Sequence, residues 1–397
     1  MMLPTQEPLR AELQALADRL RPQASANERA RELPLEAFQW FKTTKLGTMR
    51  LPVELGGSGA SVEDVMAVVS TLAEADPNVA HALRAHFNFV ELQLLAPAIM
   101  GSPLYMDELR KGAIFGGAHT EIGTKKAGDI ATQLSMTKDG WRLSGKKYYT
   151  TGTAFSDWVT VTAVNPTGQL VRVLVPTSRK GITIRDDWDG MGQRLTASGG
   201  IDFEDVVVEA DEITAERENT VVGRHASTFR QLYLAACQAG IVRNVLSDAV
   251  SFVVTKARPI AHSQAQTARE DQFVQSVVGS IAACSFALDA QLARAAATMD
   301  LVHKEIVAKS PRIDELLSAS SIEVAKLQIA SAELAIRAAE QLFETGGASA
   351  TSRKLNFDRH WRNIRTIQSH NPIAHKRRVV GDYLLNRTAP PIDGGYF

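Results

Sequence analysis

The side chains able to do chemistry in this chain stand apart from one another. His81 and His86 are five residues apart, as are His370 and His375. At about 3.6 residues per turn, that spacing takes the two rings off one helix face, so neither pair makes a good metal chelate. Cys237 and Cys284 are the two cysteines, and both sit in Ala-rich text. They are too few for a Cys-type zinc site or a disulfide framework, and they read as small buried apolar groups in a reducing compartment. Gly190-Met-Gly192 starts like a dinucleotide-binding turn, but Leu195 stands at the third glycine position and no helical pattern follows. Gly123 and Gly128 have P-loop spacing, yet Asp129 stands where a lysine would reach phosphates. Neither His-Glu-x-x-His nor Gly-x-Ser-x-Gly occurs. A metal cage, triphosphate chemistry, a nicotinamide site of the usual kind and a hydrolase triad are therefore not expected.

The elements that must position any site come in three blocks. Leu9, Leu13, Leu16 and Leu20 line one helix face, and Leu35, Phe38 and Phe41 repeat the pattern after Pro34. Ser61 and Asp64 form a capping-box start for a helix running to Ala75, and Asp76-Pro77 ends it. Residues 1–112 thus read as a helical domain. Residues 113–217 read as β structure: Asp139-Gly140 and Asn165-Pro-Thr-Gly168 are hairpin turns, and Ile182–Ile184 and Ile201–Phe203 add strands. Residues 218–397 read as long Ala-rich helices, over 232–255, 271–309 and 313–343, followed by a last one near 372–386. Helices of that length need a bundle to bury them.

The 397 residues carry 44 basic and 44 acidic side chains, with 45% hydrophobic and 22% charged residues. That balance argues against a nucleic-acid partner, which needs an excess of Lys and Arg. No window of about 18 residues reads as apolar enough to span a membrane. Glu7, Glu12 and Asp18 near the start are unlike a secretory leader, so a cytoplasmic location is expected.

Several segments resemble the acyl-CoA dehydrogenase superfamily: Leu55-Gly-Gly-Ser-Gly-Ala60, Ala118-His-Thr-Glu121 and Gly145-Lys-Lys-Tyr-Tyr-Thr-Thr-Gly152. Others resemble its branch of reduced-flavin monooxygenases of dibenzothiophene and methanesulfinate or sulfone type. These are Pro176-Thr-Ser-Arg-Lys-Gly181, Asp186-Asp-Trp188, Arg258-Pro259, Phe357-Asp-Arg-His-Trp-Arg-Asn-Ile-Arg365 and His370-Asn-Pro372. The resemblance implies an α+β, mainly α fold: an N-terminal helical domain, a central antiparallel β domain and a C-terminal four-helix bundle that builds a homotetramer. It implies FMN, supplied as FMNH2 by a separate NAD(P)H-dependent reductase, and oxygenation of a small organosulfur substrate through a C4a-hydroperoxyflavin. An N-hydroxylase on the same scaffold, an FAD-dependent acyl-CoA dehydrogenase and a scaffold with a decayed site are the alternatives.

The same resemblance assigns roles. His86, Thr151 and His370 are the groups that would donate hydrogen bonds to the flavin peroxide and N5. Thr120, Tyr149, Thr150 and Asn371 would line the cofactor. Arg258, reaching across a subunit boundary, would hold the phosphate, with Ser349, Ser352 or Arg353 assisting from the turn Gly346-Gly-Ala-Ser-Ala350. Arg359, Arg362 and Arg365 read as ion-pairing residues, and Phe87, Phe89 and Leu92 as candidate substrate lining. A dehydrogenase needs a carboxylate base, yet Ile367–His375 contains no acid, so only Glu340 and Glu344 keep that alternative open.

Overall fold

The computed structural model describes residues 3–95, 103–126, 128–216, 219–392 and 397. The first block folds as α1 (Glu7–Ala30), α2 (Leu35–Lys42), α3 (Val62–Ala75), α4 (Pro77–Ala82), α5 (Arg84–Leu95) and α6 (Pro103–Arg110). Leu9, Leu13, Leu16 and Leu20 of α1 and Phe38 and Phe41 of α2 are buried as their spacing predicts, while Leu35, at the first turn of α2, stays exposed. Ser61 and Asp64 make the predicted capping box of α3. Asp76 ends that helix and caps the next, its carboxylate accepting the Asn78 and Val79 N–H groups.

The middle block is one mainly antiparallel sheet. Its strands are β1 (Phe115–Ala118), β2 (Gln133–Thr137), β3 (Gly140–Lys147), β4 (Trp158–Val164), β5 (Leu170–Pro176), β6 (Ile182–Ile184), β7 (Ile201–Val208) and β8 (Ile213–Ala215). They run in the order β6-β7-β3-β2-β4-β5-β8. Both expected hairpins are present, with Thr137 opposite Gly140 and Val164 opposite Leu170. The antiparallel domain expected from the sequence is present, with two parallel pairings added to it, β1 with β4 and β2 with β4 at Gln133 and Val164.

The last block is built on α7 (Val221–Thr255), α8 (Gln272–Val307) and α9 (Ile313–Glu344), followed by α10 (Asp358–Gln368) and α11 (Ile373–Asn386). α7, α8 and α9 pack on one another, α11 packs on α9, and α10 lies against α7 and α9. α7 starts eleven residues before the expected Leu232, because Thr220 caps Gly223 and opens the helix. α3 lies so close to α7 that a Cβ on Gly240 would sit 2.2 Å from the Ser70 carbonyl oxygen. α8 corrects another expectation, since by length and composition it is apolar enough to cross a membrane. It is a bundle helix, and its apolar residues face both inward and outward; Phe273 and Phe286 are 73% and 76% exposed.

A charged node ties the first and last blocks together. Arg50 donates to both oxygens of Glu91, at 2.8 and 3.0 Å, and to the Ala60 carbonyl. His225 of α7 and His303 of α8 lie 2.9 and 3.0 Å from the same Glu91 oxygen. Glu91, His225 and His303 have the spacing of a metal site, but the Arg50 fork fills the place a cation would take. These contacts hold the Glu91 carboxylate well below its usual range. Its contribution to stability is therefore present at neutral pH and is lost as pH falls through the carboxylate range. Glu91→Ala leaves Arg50 buried without its partner and should cost about 3–5 kcal/mol, read as a lower midpoint of thermal unfolding; an unchanged midpoint would show that the node is not structural.

Candidate active site

The loop after β3 carries Thr150, Thr151 and Gly152 against the start of the helical block. Gly152 has φ +79°, and a Cβ there would lie 1.9 Å from the Ala82 carbonyl oxygen. The approach is pinned on either side. Phe155 stacks on Phe38 of α2 at 4.0 Å, and Asn78 of α4 accepts the Leu195 N–H at 3.1 Å. Thr151 is thereby held next to the contact with Ala82, the last residue of α4.

A chain of hydroxyls orients Thr151. Thr196 donates to the Gln193 carbonyl at 2.8 Å, and Ser198 lies 2.7 Å from both Thr196 and Thr151. Each hydroxyl has one proton. Thr196 has spent its own on Gln193, so Ser198 donates to Thr196 and Thr151 donates to Ser198. Thr151 Oγ1 then presents lone pairs, not a proton, on its half-buried outer side. The expectation that Thr151 donates is reversed by its neighbours.

Gln193 anchors this chain. A Cβ on Gly192 would lie 2.1 Å from the Arg362 carbonyl oxygen, the Gln193 N–H donates to Asn363 Oδ1 at 2.6 Å, and Arg362 donates to the Met191 carbonyl. The Asp358–Arg365 block thus clamps the loop behind Thr151. Its arginines pair as expected at two of three positions. Arg359 meets Asp248 at 2.6 Å, and Arg362 meets Glu28 and Asp358; Arg365 is exposed.

His81 donates from Nδ1 to the Gln193 amide oxygen at 3.1 Å, which leaves its buried Nε2 without a partner. Arg84, at the first position of α5, donates to His370 Nε2 at 3.0 Å. His370 Nδ1 lies 3.1 Å from Asn371 Oδ1. The Asn371 amide nitrogen donates to the Gln231 amide oxygen, which also accepts from Gln328 at 3.1 Å. That network aims Asn371 Oδ1 at His370, so the His370 proton sits on Nδ1 and its Nε2 lone pair is taken by Arg84. His119 joins from the end of β1, with Nδ1 3.0 Å from Thr162 Oγ1 and in contact with Arg172.

The electrostatics are one-sided. Burial, and then the Arg84 charge, push His81 and His370 each down to about 3. Burial followed by Arg172, Arg230, Lys147 and Arg84 drives His119 well below its ordinary value. All three imidazoles are neutral at physiological pH. Arg172 is paired with Glu216, and Lys147 with Glu121 at 2.6 Å. His119 and His370 keep exposed surface and Arg84 and Thr151 are half-buried, so the cluster is reachable from solvent.

Of the residues expected to act, Thr151, His370 and Asn371 belong to this cluster. His86 does not: its Nε2 lies 2.9 Å from the Gly47 carbonyl, its Nδ1 accepts the Phe115 N–H, and Phe41, Phe87 and Phe115 surround the ring. Thr150 is buried with its hydroxyl donated to the Gly199 carbonyl at 2.8 Å, so it fastens two loops. Thr120 is exposed and gives its carbonyl to the Tyr148 N–H. Tyr149 has φ +59°, is 54% exposed and meets Trp188 edge-on at 6.1 Å. Phe87 and Phe89 are core residues rather than pocket lining. Arg258 and Ser349 are exposed at the other end of the bundle, where Gly346 packs on Phe252. The 25 steps along the helix from Arg230 to Thr255 span about 37 Å of α7 at 1.5 Å per residue, so within one chain these two stand far from Thr151. Glu340 and Glu344 are exposed, toward that same distant end of α9. Residue spacing did not single out Arg84, His81, His119, Ser198 or Gln193; Arg84 beside His86 in a helical segment was the one local signal.

The sequence matches the acyl-CoA dehydrogenase N-terminal domain over residues 4–98, the middle domain over 118–206 and the C-terminal domain over 232–374. The probable FMNH2-dependent monooxygenase SfnC of Pseudomonas putida is 28% identical over 357 residues, covering 88% of each chain. The dibenzothiophene monooxygenase TdsC of Paenibacillus sp. A11-2, solved with FMN and indole, superposes with a TM-score of 0.84 at 28% identity, over 98% of this chain and 99% of that one. Methanesulfinate monooxygenase MsuC of Pseudomonas fluorescens superposes with a TM-score of 0.87 at 25% identity, over the same shares. With all three domains present in order and the whole fold shared with these enzymes, the chain belongs to the acyl-CoA dehydrogenase superfamily.

Proposed function

We propose that the protein is the oxygenase of a two-component system, taking FMNH2 from a separate NAD(P)H-dependent reductase and using O2 to oxygenate a small organosulfur compound. The observation that carries this reading is the cluster at Thr151, Arg84 and His370. It offers hydrogen-bonding groups and neutral imidazoles, and among the described residues no carboxylate bonds to any of the three. Dehydrogenation needs a carboxylate base in reach of a carbon acid, and Glu340 and Glu344 are exposed near the C-terminal end of α9. SfnC and TdsC, with FMNH2 and FMN in their descriptions, support the cofactor.

The residues present fit a reduced flavin. Thr151, its proton committed to Ser198, accepts from an N–H at the ring edge, a group that reduced flavin bears and oxidised flavin lacks at N5. Tyr149 and Thr120 offer exposed surface beside it. Reduced FMN supplies the electrons for O2 activation when bound. The protein's part is to hold the ring edge at Thr151, to keep His370 in one neutral tautomer through Asn371, and to direct the Arg84 N–H groups into the site.

The phosphate is best served by a neighbouring subunit. Arg258 and Ser349 lie together at the distant bundle end, and the outward face of α8 with Phe273 and Phe286 offers apolar surface for packing copies into a homotetramer. Two buried free cysteines suit a reducing, cytoplasmic setting.

Rapid mixing of the FMNH2-loaded protein with oxygenated buffer should show a transient flavin absorbance before the oxidised spectrum; direct oxidation, unaltered by organosulfur compounds, would reject the oxygenase reading. Thr151→Val should shorten that transient, and His370→Ala should divert turnover to hydrogen peroxide, measured as peroxide per product. Arg258→Ala should weaken FMN binding more than riboflavin binding, and equal losses would remove Arg258 from the phosphate. His81 and His370 should show no protonation by NMR between about pH 5 and 8. Since their folded values lie below the ordinary 6.5, the unfolded chain takes up protons first, and their contribution to stability falls as pH drops through that value.

A further inference from the structure

Arg84 is the most conspicuous charge in the molecule. It sits half-buried at the first turn of α5, and its only hydrogen bond among the described residues goes to a neutral acceptor, His370 Nε2. Among the described residues no carboxylate pairs with it. The charges and polar groups felt by Arg84 are Arg230, Cys237 and Tyr233, and the first of these is another cation. The other arginines turned toward His119 or the loop behind Thr151 have acids: Arg172 has Glu216, and Arg362 has Glu28 and Asp358.

A helix N-terminus already carries partial positive charge, so placing a guanidinium at its first turn runs against the helix dipole. Arg230 adds to that opposition. Such an arrangement costs free energy in the empty protein, and a bound anion returns it. A guanidinium has five N–H groups, and one of Arg84's is used. The remainder suit an acceptor with two oxygens in a plane, which takes a bidentate pair. The nearby imidazoles cannot compete for the anion, because each is neutral and two present lone pairs: His81 Nε2 is unpartnered, and His370 Nε2 is occupied by Arg84 itself.

We propose that Arg84 is the anchor for the negatively charged head of the substrate, and that the enzyme selects a small sulfinate-type organic anion over neutral sulfones and thioethers. This rests on the monooxygenase reading for what happens to the bound molecule, but not for its recognition.

The test is equilibrium binding to the purified oligomer by calorimetry, with and without FMN. The probes are sodium methanesulfinate and its neutral counterpart dimethyl sulfone. Wild type should bind the sulfinate more tightly than the sulfone. Arg84→Gln should lose roughly 100-fold in sulfinate affinity, with Arg84→Lys recovering part of it and sulfone affinity changing little. Circular dichroism of each variant checks that the fold is kept. Sulfone bound as tightly as sulfinate by wild type, no measurable sulfinate binding, or equal sulfinate affinity in wild type and Arg84→Gln would each overturn the proposal. So would a loss in Arg84→Gln of FMN affinity relative to riboflavin with sulfinate affinity kept, which would assign Arg84 to the cofactor phosphate. The rapid-mixing trace is recorded on the same preparations. Absence of the flavin transient in wild type would remove the oxygenase reading and leave the sulfinate-to-sulfone ratio to judge Arg84 by itself.

Discussion

Everything at the site depends on one close contact, that of Gly152 with the backbone of α4. A side chain at that position would overlap the Ala82 carbonyl, and the positive φ is one that glycine adopts without strain. Because the loop can come this near, the β-domain segment that carries Thr151 is brought up against the end of α4. Phe155 on Phe38 and Asn78 on Leu195 keep the loop from sliding. Without that approach the hydroxyl chain Thr196–Ser198–Thr151 would end in solvent.

The second organising feature is the uneven distribution of acids. Away from the site, buried charges are matched with care: Arg50 with Glu91, Lys147 with Glu121, Arg243 with Asp289. These pairs satisfy desolvated groups and join elements distant in sequence. In the site Arg84 has no acid partner among the described residues. Burial first, and then nearby positive charge with Arg84 common to all three, holds His81, His119 and His370 neutral at physiological pH. Neutral rings with fixed tautomers, set by Gln193 and Asn371, give directed donors and acceptors that do not switch with small changes of pH.

Function also spreads along the length of the bundle. The groups around Thr151 and those around Arg258 are separated by most of α7, whose spacing is that of a rigid rod. Under the proposed function, a cofactor that needs both ends would draw them from different copies of the chain.

Much of this protein was legible from residue order. The capping box at Ser61, both hairpins, the helix faces of α1 and α2 and the three-block organisation follow from local periodicity and turn chemistry, which act between neighbours in sequence. Thr151, His370 and Asn371 were legible because they lie in segments whose residues resemble a known family. Three things were not. His86 has the right type and place in sequence, but the Gly47 carbonyl and the Phe115 N–H, both remote in sequence, take its ring nitrogens. Thr151 was expected to donate, and its direction was decided by which neighbour held the last proton in a hydroxyl chain assembled from two loops. Arg84 looked like an ordinary helical arginine, and only packing showed that among the described residues no acid pairs with it. Periodicity and turn signals are local and survive in the bare sequence; hydrogen-bond direction and the absence of a counter-charge are properties of what surrounds a side chain, and those exist only once the three domains have come together.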